Sequence, residues 1–414
     1  LKTRLQLFLD KGIAKPVAYL LNFVVRVVGQ MAHIDHDLDR DFDTVVVSKL
    51  KGMGSIIQAT PLLYALREKY PNATIVFVST RSNKAFLEQI DLIDRVLVLD
   101  DSGFMALLKS TLRALFTLIK IRPGVYIDLE IYSDFSTLFT LFSLSINRVG
   151  FYLRSSSFRM GIYTHMMFFN PRLPISQVYL QMASLLGADT SKPRLYGFEA
   201  LGTHKDYQDK DYIVVNVNAS DLRLERRWGI EKFSEVIDRF LKAYPGYEVF
   251  LVGAPSEREY TARVEQRLSN DRVKNMAGRT SITELIQLVR GAKLMLSNDT
   301  GPMHVAFCTR TPVVCLFGPC SPEQYGFSDR AVVIYKPVFC SPCVHDFETP
   351  PCNGNNVCMK LITVEEVSAV MMKLMDNEPQ DSKSESEAQK VVYTHDGTAL
   401  GLVQRPDPRD SHHA

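Results

Sequence analysis

The 414 residues carry 48 Lys and Arg against 46 Asp and Glu, with 46% hydrophobic and 23% charged residues. That is the composition of an ordinary globular protein long enough for two domains, and a net charge of +2 supplies no general field for nucleic acid. No uninterrupted apolar run reaches the roughly eighteen residues of a membrane span, and all seven cysteines follow residue 300, unlike the spread in a disulfide-stapled secreted domain.

Residues 1–42 read as a basic amphipathic segment and linker. Lys2, Arg4, Lys11, Lys15 and Arg26 oppose a single Asp10 in the first thirty positions, interleaved with large apolar residues such as Leu20, Phe23, Val24 and Val25. Pro16 divides the stretch into two short helices. Such an opening can lie on an anionic membrane surface or pack as a helix on the domain behind it. The acidic run 35–43 is a solvated linker.

Residues 43–200 repeat strand and helix. Val45–Val47, Ile75–Val78, Val96–Leu99 and Val125–Leu129 are apolar runs bounded by turn residues, with helices over 56–69 and 104–120. This rhythm predicts a parallel sheet covered on both faces. Residues 151–200 look irregular. A second unit, 201–375, starts at Ile213–Val217 and continues through strands at 249–252, 272–275, 293–296 and 312–317. Helices are expected over 231–244, 256–268, 282–290 and 363–375. Residues 376–414 turn to Ser, Glu, Lys, Asp and Pro and are expected to be a disordered tail.

The chemistry concentrates in loops after strands. The run Asn298-Asp299-Thr300-Gly301-Pro302-Met303-His304 joins a buried strand to a helix. In a parallel sheet that turn lies at the carboxyl edge, where such folds bind ligands. Gly301 permits close approach, Thr300 adds a hydroxyl, and the helix N-terminus offers unpaired N–H groups to an anion. A carboxylate at Asp299 suits hydroxyls beside a phosphate, so the turn points to a nucleotide-sugar. The structural alternative is that Asp299 caps the helix and His304 packs behind it. Arg223, Arg226 and Arg227 follow another strand and can clamp a diphosphate, Arg226 being the stronger candidate. Trp228 packs this loop on the next helix. Glu257 opens a helix after Gly253, where it either supports the helix end or accepts from a ribose. The turn Lys51-Gly52-Met53-Gly54-Ser55 after the first strand is glycine-rich. It lacks the third glycine of a dinucleotide fingerprint, which speaks against an oxidoreductase. Cys340, Cys343, Cys352 and Cys358 form C-x2-C-x8-C-x5-C. A structural zinc is the first reading of that spacing, with two disulfides or four free thiols as alternatives, and His345 is a spare ligand.

Taken together, Lys51 to Pro61, Arg226 to Trp228, Gly253 to Glu257, Gly278 to Ser281, Asn298 to Ala306 and Leu316 to Pro319 resemble the ADP-heptose:lipopolysaccharide heptosyltransferase family, glycosyltransferase family nine. The resemblance covers roughly residues 43–375. It implies an α/β fold of the GT-B type, with two Rossmann-like domains facing each other across a cleft, the first for acceptor and the second for donor. By position, Thr300 and Gly301 would hold the diphosphate, Asp299 the donor-sugar hydroxyls, Glu257 the ribose, and Met276 would lie near the base. His304 and Gly54 complete the donor candidates. Arg226 stands where the family usually has a lysine that neutralises the leaving phosphates. With it and the helix dipole in place, catalysis would need no cofactor or metal. The family usually has an aspartate base where this chain has Ser55, whose unperturbed hydroxyl cannot serve. Glu130, and after it Asp128, are the replacement candidates, unless they cap the next helix. The implied activity is inverting transfer of heptose from ADP-heptose to lipopolysaccharide or another surface glycan. The implied setting is cytoplasmic, peripheral on the inner membrane. The alternative is a degenerate relative that binds a nucleotide-sugar without transferring it. Arg148, Arg154, Arg159 and Arg172 either meet acidic or phosphorylated glycans or are ordinary surface charges.

Overall fold

The computed structural model describes residues 12–153, 156, 159–192, 195, 198, 201–219, 223–326, 328–344, 350–376 and the backbone of 390–393. The chain divides into two compact units, residues 1–197 and 198–414. Each is built on one parallel sheet.

The first sheet contains β1 (Thr44–Ser48), β2 (Thr74–Thr80), β3 (Arg95–Leu99), β4 (Val125–Asp128), β5 (Asn147–Tyr152) and β6 (His165–Phe168), ordered β3-β2-β1-β4-β5-β6. All five pairings are parallel, with Val45 opposite both Ile75 and Val125. The order reverses direction at β1 and β4, so the loops after these two strands form the ligand position of a doubly wound sheet. Val46, Val76, Val78, Leu97 and Tyr126 bury one face beneath the helices Phe104–Ile121 and Asp134–Phe142, which supply Ala114, Leu118 and Phe139.

Three expectations for this unit are corrected. The helix expected over 56–69 is two helices, Met53–Ile57 and Thr60–Lys69, the second with Pro61 in its first turn. The irregular stretch 151–200 contains β6 and the helix Ile175–Leu185. Pro16 sits in the first turn of the helix Lys15–Ala32, where its missing N–H costs no bond, and the residues of the helix expected before it lie largely outside the described residues. Moreover, Gly12–Ala32 is long and apolar enough to cross a membrane by length and composition. Counting only uninterrupted apolar runs had concealed this, because Lys15, Asn22 and Arg26 punctuate it.

The second sheet contains β7 (Tyr212–Asn216), β8 (Glu248–Leu251), β9 (Val273–Asn275), β10 (Leu294–Asn298), β11 (Val313–Phe317), β12 (Ala331–Tyr335) and β13 (Lys390–Tyr393). Its order is β13-β12-β11-β10-β7-β8-β9, again wholly parallel. The direction reverses between β7 and β10. Ile213, Val215, Leu294, Leu296, Val314 and Leu316 bury one face against the helices Ile230–Ala243 and Val364–Asp376. β13 falls within the tail expected to be disordered and pairs along β12, Val332 to Tyr335.

Candidate functional site

In the second unit, the reversal point brings together most of the residues singled out in the sequence. β10 closes on Asn298, whose Nδ2 donates to the carbonyls of Val217 and Asn218, each at 3.1 Å. This ties the carboxyl ends of β10 and β7 together. Asn216, at the end of β7, donates from Nδ2 to Ser297 Oγ at 3.1 Å and Thr300 Oγ1 at 2.5 Å. An amide closing an otherwise apolar strand was the sequence signal for Asn216, and it was overlooked. Thr300 is extended, at φ −153°, and the helix Gly301–Thr309 starts immediately after it. Its first-turn N–H groups form a partial positive charge at the sheet edge.

Arg226 reaches this turn from the loop after β7. Its Nη1 donates to the Asp299 carbonyl at 3.2 Å and lies 3.4 Å from Asp299 Oδ2. Burial disfavours the guanidinium charge, but Asp299 more than offsets this and raises its pKa above the ordinary value. The pairing is incomplete. Asp299 Oδ2, Arg226 Nε and Asn298 Oδ1 are buried without a hydrogen-bond partner among the described residues. Buried polar atoms are rarely left this way, and three of them converge beside one helix N-terminus. Asn298 Oδ1 and Asp299 Oδ2 are acceptors and Arg226 Nε is a donor, so the set suits a ligand that carries hydroxyl donors beside an anionic group. Burial and the adjacent Asp299 push the Cys320 thiol well above its usual range, so it is a neutral neighbour.

His304 does not join them. It is 4% exposed and packs edge-on against Phe307, with ring centroids 5.3 Å apart. Burial lowers its pKa to about 4. It is a neutral core residue behind the turn, within electrostatic reach of Asp299 and Arg226. Arg227 stacks its guanidinium 3.8 Å above the Tyr260 ring. Trp228 is buried edge-on to Phe233, and its indole N–H donates to Ile362 O at 2.9 Å.

The neighbouring loops complete the edge. Gly253 leaves room for Asn218: a Cβ there would fall 2.5 Å from Asn218 Nδ2 and 3.1 Å from Glu257 Oε2. Gly278 has φ +69°, and its N–H donates to Gly253 O at 2.9 Å, which locks the loops after β8 and β9 together. Glu257 Oε2 accepts from the Ala254 N–H at 2.7 Å, so one oxygen serves the helix start. Met276 is half-buried and donates its N–H to Leu251 O. Asp299, Thr300, Gly301, Arg226, Glu257 and Met276 therefore all lie on loops at the carboxyl edge of one sheet.

The cysteine segment braces this edge from outside. Cys343 and Val344 donate their N–H groups to Pro319 O at 2.9 and 3.0 Å. Arg223 donates to Val344 O at 3.0 Å, and Asn356 Nδ2 to the carbonyls of Glu225 and Arg227 at 3.3 and 2.9 Å. Cys340, Cys343, Cys352 and Cys358 are all free thiols. Among the described residues no group of three or more potential ligands is placed to hold a metal ion. The expected zinc thus lacks a ligand set. Cys358 packs in the core beside Met359, and burial raises its thiol to about 11. His345 lies outside the described residues.

The first unit holds a separate polar cluster where β1 and β4 end. Glu130 Oε1 lies 2.8 Å from Lys49 Nζ and accepts from the N–H groups of Leu50 and Lys51 at 2.7 and 3.2 Å. Burial alone would raise its pKa. Lys49 and the two N–H groups outweigh burial and hold it below the ordinary value. Lys49 was not among the residues singled out, although it follows the first strand directly. Asp128 is fully enclosed. Ser48, Ser136 and Tyr163 donate hydroxyls to it at 3.0, 2.6 and 2.5 Å, and Glu130 N–H donates at 3.0 Å. Burial raises its pKa. As a candidate base Asp128 is therefore displaced: with no exposed surface it cannot touch an acceptor. Ser55 is half-buried and bonds to Tyr179, whose phenol burial and nearby Glu130 push up. Gly54 is buried in the short helix beside it, and it is Gly52, at φ +86°, that makes the turn. The arginines also sort differently. Arg159 is fully buried, donating to the carbonyls of Glu130 and Ser133. Arg148 is occupied by the carbonyls of Ser145 and Ile162. Arg172 is exposed, and Arg154 lies outside the described residues.

Known proteins resemble this chain in sequence and fold. Residues 181–352 match the model of glycosyltransferase family 9 (heptosyltransferase). Lipooligosaccharide heptosyltransferase 2 of Campylobacter jejuni is 30% identical over 157 residues, 36% of this chain and 47% of that protein. The chain thus spans about half the length of that relative. The lipopolysaccharide core heptosyltransferase OpsX of Haemophilus influenzae is 22% identical over 308 residues, 71% of this chain and 85% of OpsX. Among solved structures, E. coli heptosyltransferase WaaC with ADP superposes with a TM-score of 0.64 at 17% identity, covering 80% of this chain and 99% of that one. Its fold is the GT-B type with two parallel-sheet domains, as found here. Sequence match and shared fold agree: residues 181–352 match glycosyltransferase family 9, and the chain shares the two-domain fold of a heptosyltransferase.

Proposed function

We propose that this chain transfers a sugar, in the simplest case heptose from ADP-heptose, to a lipopolysaccharide core or another surface glycan at the cytoplasmic face of the inner membrane. One observation carries the reading. Buried Asn298 Oδ1, Asp299 Oδ2 and Arg226 Nε, without hydrogen-bond partners among the described residues, lie by the N-terminus of the helix Gly301–Thr309. The names of the relatives, and the ADP held by the similar E. coli structure, support the donor. The helix N-terminus and Arg226 offset the charge of the departing diphosphate without a metal, and Asp299 orders the sugar hydroxyls. The displacement inverts the anomeric centre. Glu130, held ionised by Lys49, accepts the acceptor's proton in place of the usual aspartate.

A second reading is favoured by Ser55 at the base position and by the Lys49 contact, which makes Glu130 a weaker base. In it, the chain binds a nucleotide-sugar and does not transfer it. Thermal denaturation against ADP-, GDP-, UDP- and CDP-sugars tests donor binding. A ligand at a hundred times its dissociation constant adds about 2.7 kcal/mol of stability. A shift confined to ADP-heptose supports the proposal, and no shift with any of them removes it. With the donor fixed, Glu130→Gln should lower turnover about a hundredfold or more while leaving the thermal shift intact. Unchanged turnover would remove Glu130 from the mechanism.

A further inference from the structure

The first unit presents two helices whose outward faces are apolar. In the helix Lys15–Ala32, Ala18, Leu21 and Val25 turn inward against Leu138, Leu141 and Ile162. Val17, Leu20, Val24, Val27, Val28 and Met31 recur at helical spacing on the outer side, with Leu20 67% and Met31 75% exposed. The helix Phe104–Ile121 repeats the pattern. Ala114 and Leu118 enter the core with Leu107 and Leu115, while Met105, Leu108, Leu112, Phe116 and Ile119 face out. The helix Asp134–Phe142 packs against both of them, and the exposed Phe142 and Leu144 continue the surface at its end. Isolated exposed leucines are ordinary, but two helices of 18 residues, each with a whole apolar stripe outward, are not.

Charge selects the occupant. Neither helix contains an acidic residue, while Lys15, Arg26, Lys109, Arg113 and Lys120 are cations. Lys109, Arg113 and Lys120 are exposed on the same flank of the Phe104–Ile121 stripe. In a chain whose net charge is only +2 this is a local excess. An apolar stripe bordered by lysine and arginine matches the boundary between acyl chains and anionic headgroups.

We infer that these two helices together form a docking face that lies flat on an anionic lipid bilayer. The first helix is long enough to cross, but its inner edge is packed on the domain, and Arg26 donates to Met160 O at 2.7 Å. The second helix is fixed between β3 and β4. The inference rests on the preceding section only for a membrane setting, and lipid binding is read whether or not a sugar is transferred.

The test is sedimentation of the full chain with vesicles of phosphatidylcholine alone or mixed with phosphatidylglycerol. Binding should favour the mixed vesicles and weaken with salt. Leu112→Asp with Phe116→Asp should lower partitioning at least about tenfold. Lys109→Glu, Arg113→Glu and Lys120→Glu together should lower it on the order of a hundredfold and erase the preference for phosphatidylglycerol. All five side chains are exposed, so melting temperatures should not move, and the donor-induced thermal shift should persist in both variants. Wild-type sedimentation by the Leu112/Phe116 variant, with resistance to alkaline extraction, would mean that the first helix crosses the bilayer, and would overturn the inference. So would loss of a dimer on size-exclusion chromatography with vesicle binding unchanged, since the face would then join two copies of the chain.

Discussion

The pair Arg226 and Asp299 offers a sharp test of the candidate site in the second unit. Asp299 is 3% exposed and its carboxylate faces one guanidinium nitrogen at 3.4 Å. At an effective dielectric of about 20 the attraction at that distance is about 5 kcal/mol, much of it offset by the desolvation of both groups. Arg226→Met keeps the length of the side chain and removes the charge, leaving a buried carboxylate without its counter-ion. Breaking a buried pair from one side costs roughly 3–5 kcal/mol. Taking the lower end, because the Arg226 side chain is 19% exposed, the loss should be about 3 kcal/mol. For a domain of this size that is a fall in melting temperature of roughly 6–12 °C. Urea denaturation of Arg226→Met, Asp299→Asn and the double variant gives the coupling directly. The double variant should lose at least about 1 kcal/mol less than the sum of the single losses. Because the pair is buried, the deficit should change little with added salt. Strict additivity, or an Arg226→Met protein as stable as the parent, would refute the account of an electrostatic couple held ready for ligand.

His304 is neutral in the folded protein, with its pKa lowered from 6.5 to about 4. Between those values the unfolded chain binds the extra proton, so its contribution is complete above pH 6.5 and is lost as pH falls toward 4. The loss should total roughly 3 kcal/mol, and stability curves of His304→Leu should lack that slope; an unchanged slope would assign it to other groups. Tyr163→Phe removes the hydroxyl that donates to Asp128 at 2.5 Å. Urea midpoints should report a loss of about 2 kcal/mol, as for a bond to a buried charged group, and a loss below about 0.5 kcal/mol would mean that the carboxyl finds another donor.

The strands that can be read in the sequence are those buried on both faces. Val45–Val47, Ile213–Val215 and Leu294–Leu296 have no exposed surface, so their apolar runs are uninterrupted. β5 and β6 escaped notice because Asn147, Arg148 and Gly150 break the first run and His165-Met166-Met167-Phe168 contains no β-branched residue. β12, Ala331–Tyr335, is as strongly apolar as the legible strands but is not flanked by a motif of its own. The carboxyl edge of the second sheet was legible because loop positions after strands are fixed by topology. Partners across the sequence were not. Nothing local links Lys49 to Glu130 or Tyr163 to Asp128, and these contacts decide that Glu130 is ionised and that Asp128 is enclosed. The cysteine spacing is a further case of this: intervals along the chain say nothing of Cys358 turning into the core beside Gly318.

The helix Val364–Asp376 covers the second sheet with Val364, Val367, Val370 and Met371, in the same core as Phe233, Ile237 and Phe240 of the helix Ile230–Ala243. It leaves the ribosome roughly 150 residues after β7. A nascent second unit must therefore wait with an oily flank uncovered until this helix is made, while the first unit is made entirely before it. Slow translation or early termination in this interval would leave a sticky intermediate, one that a chaperone would shield.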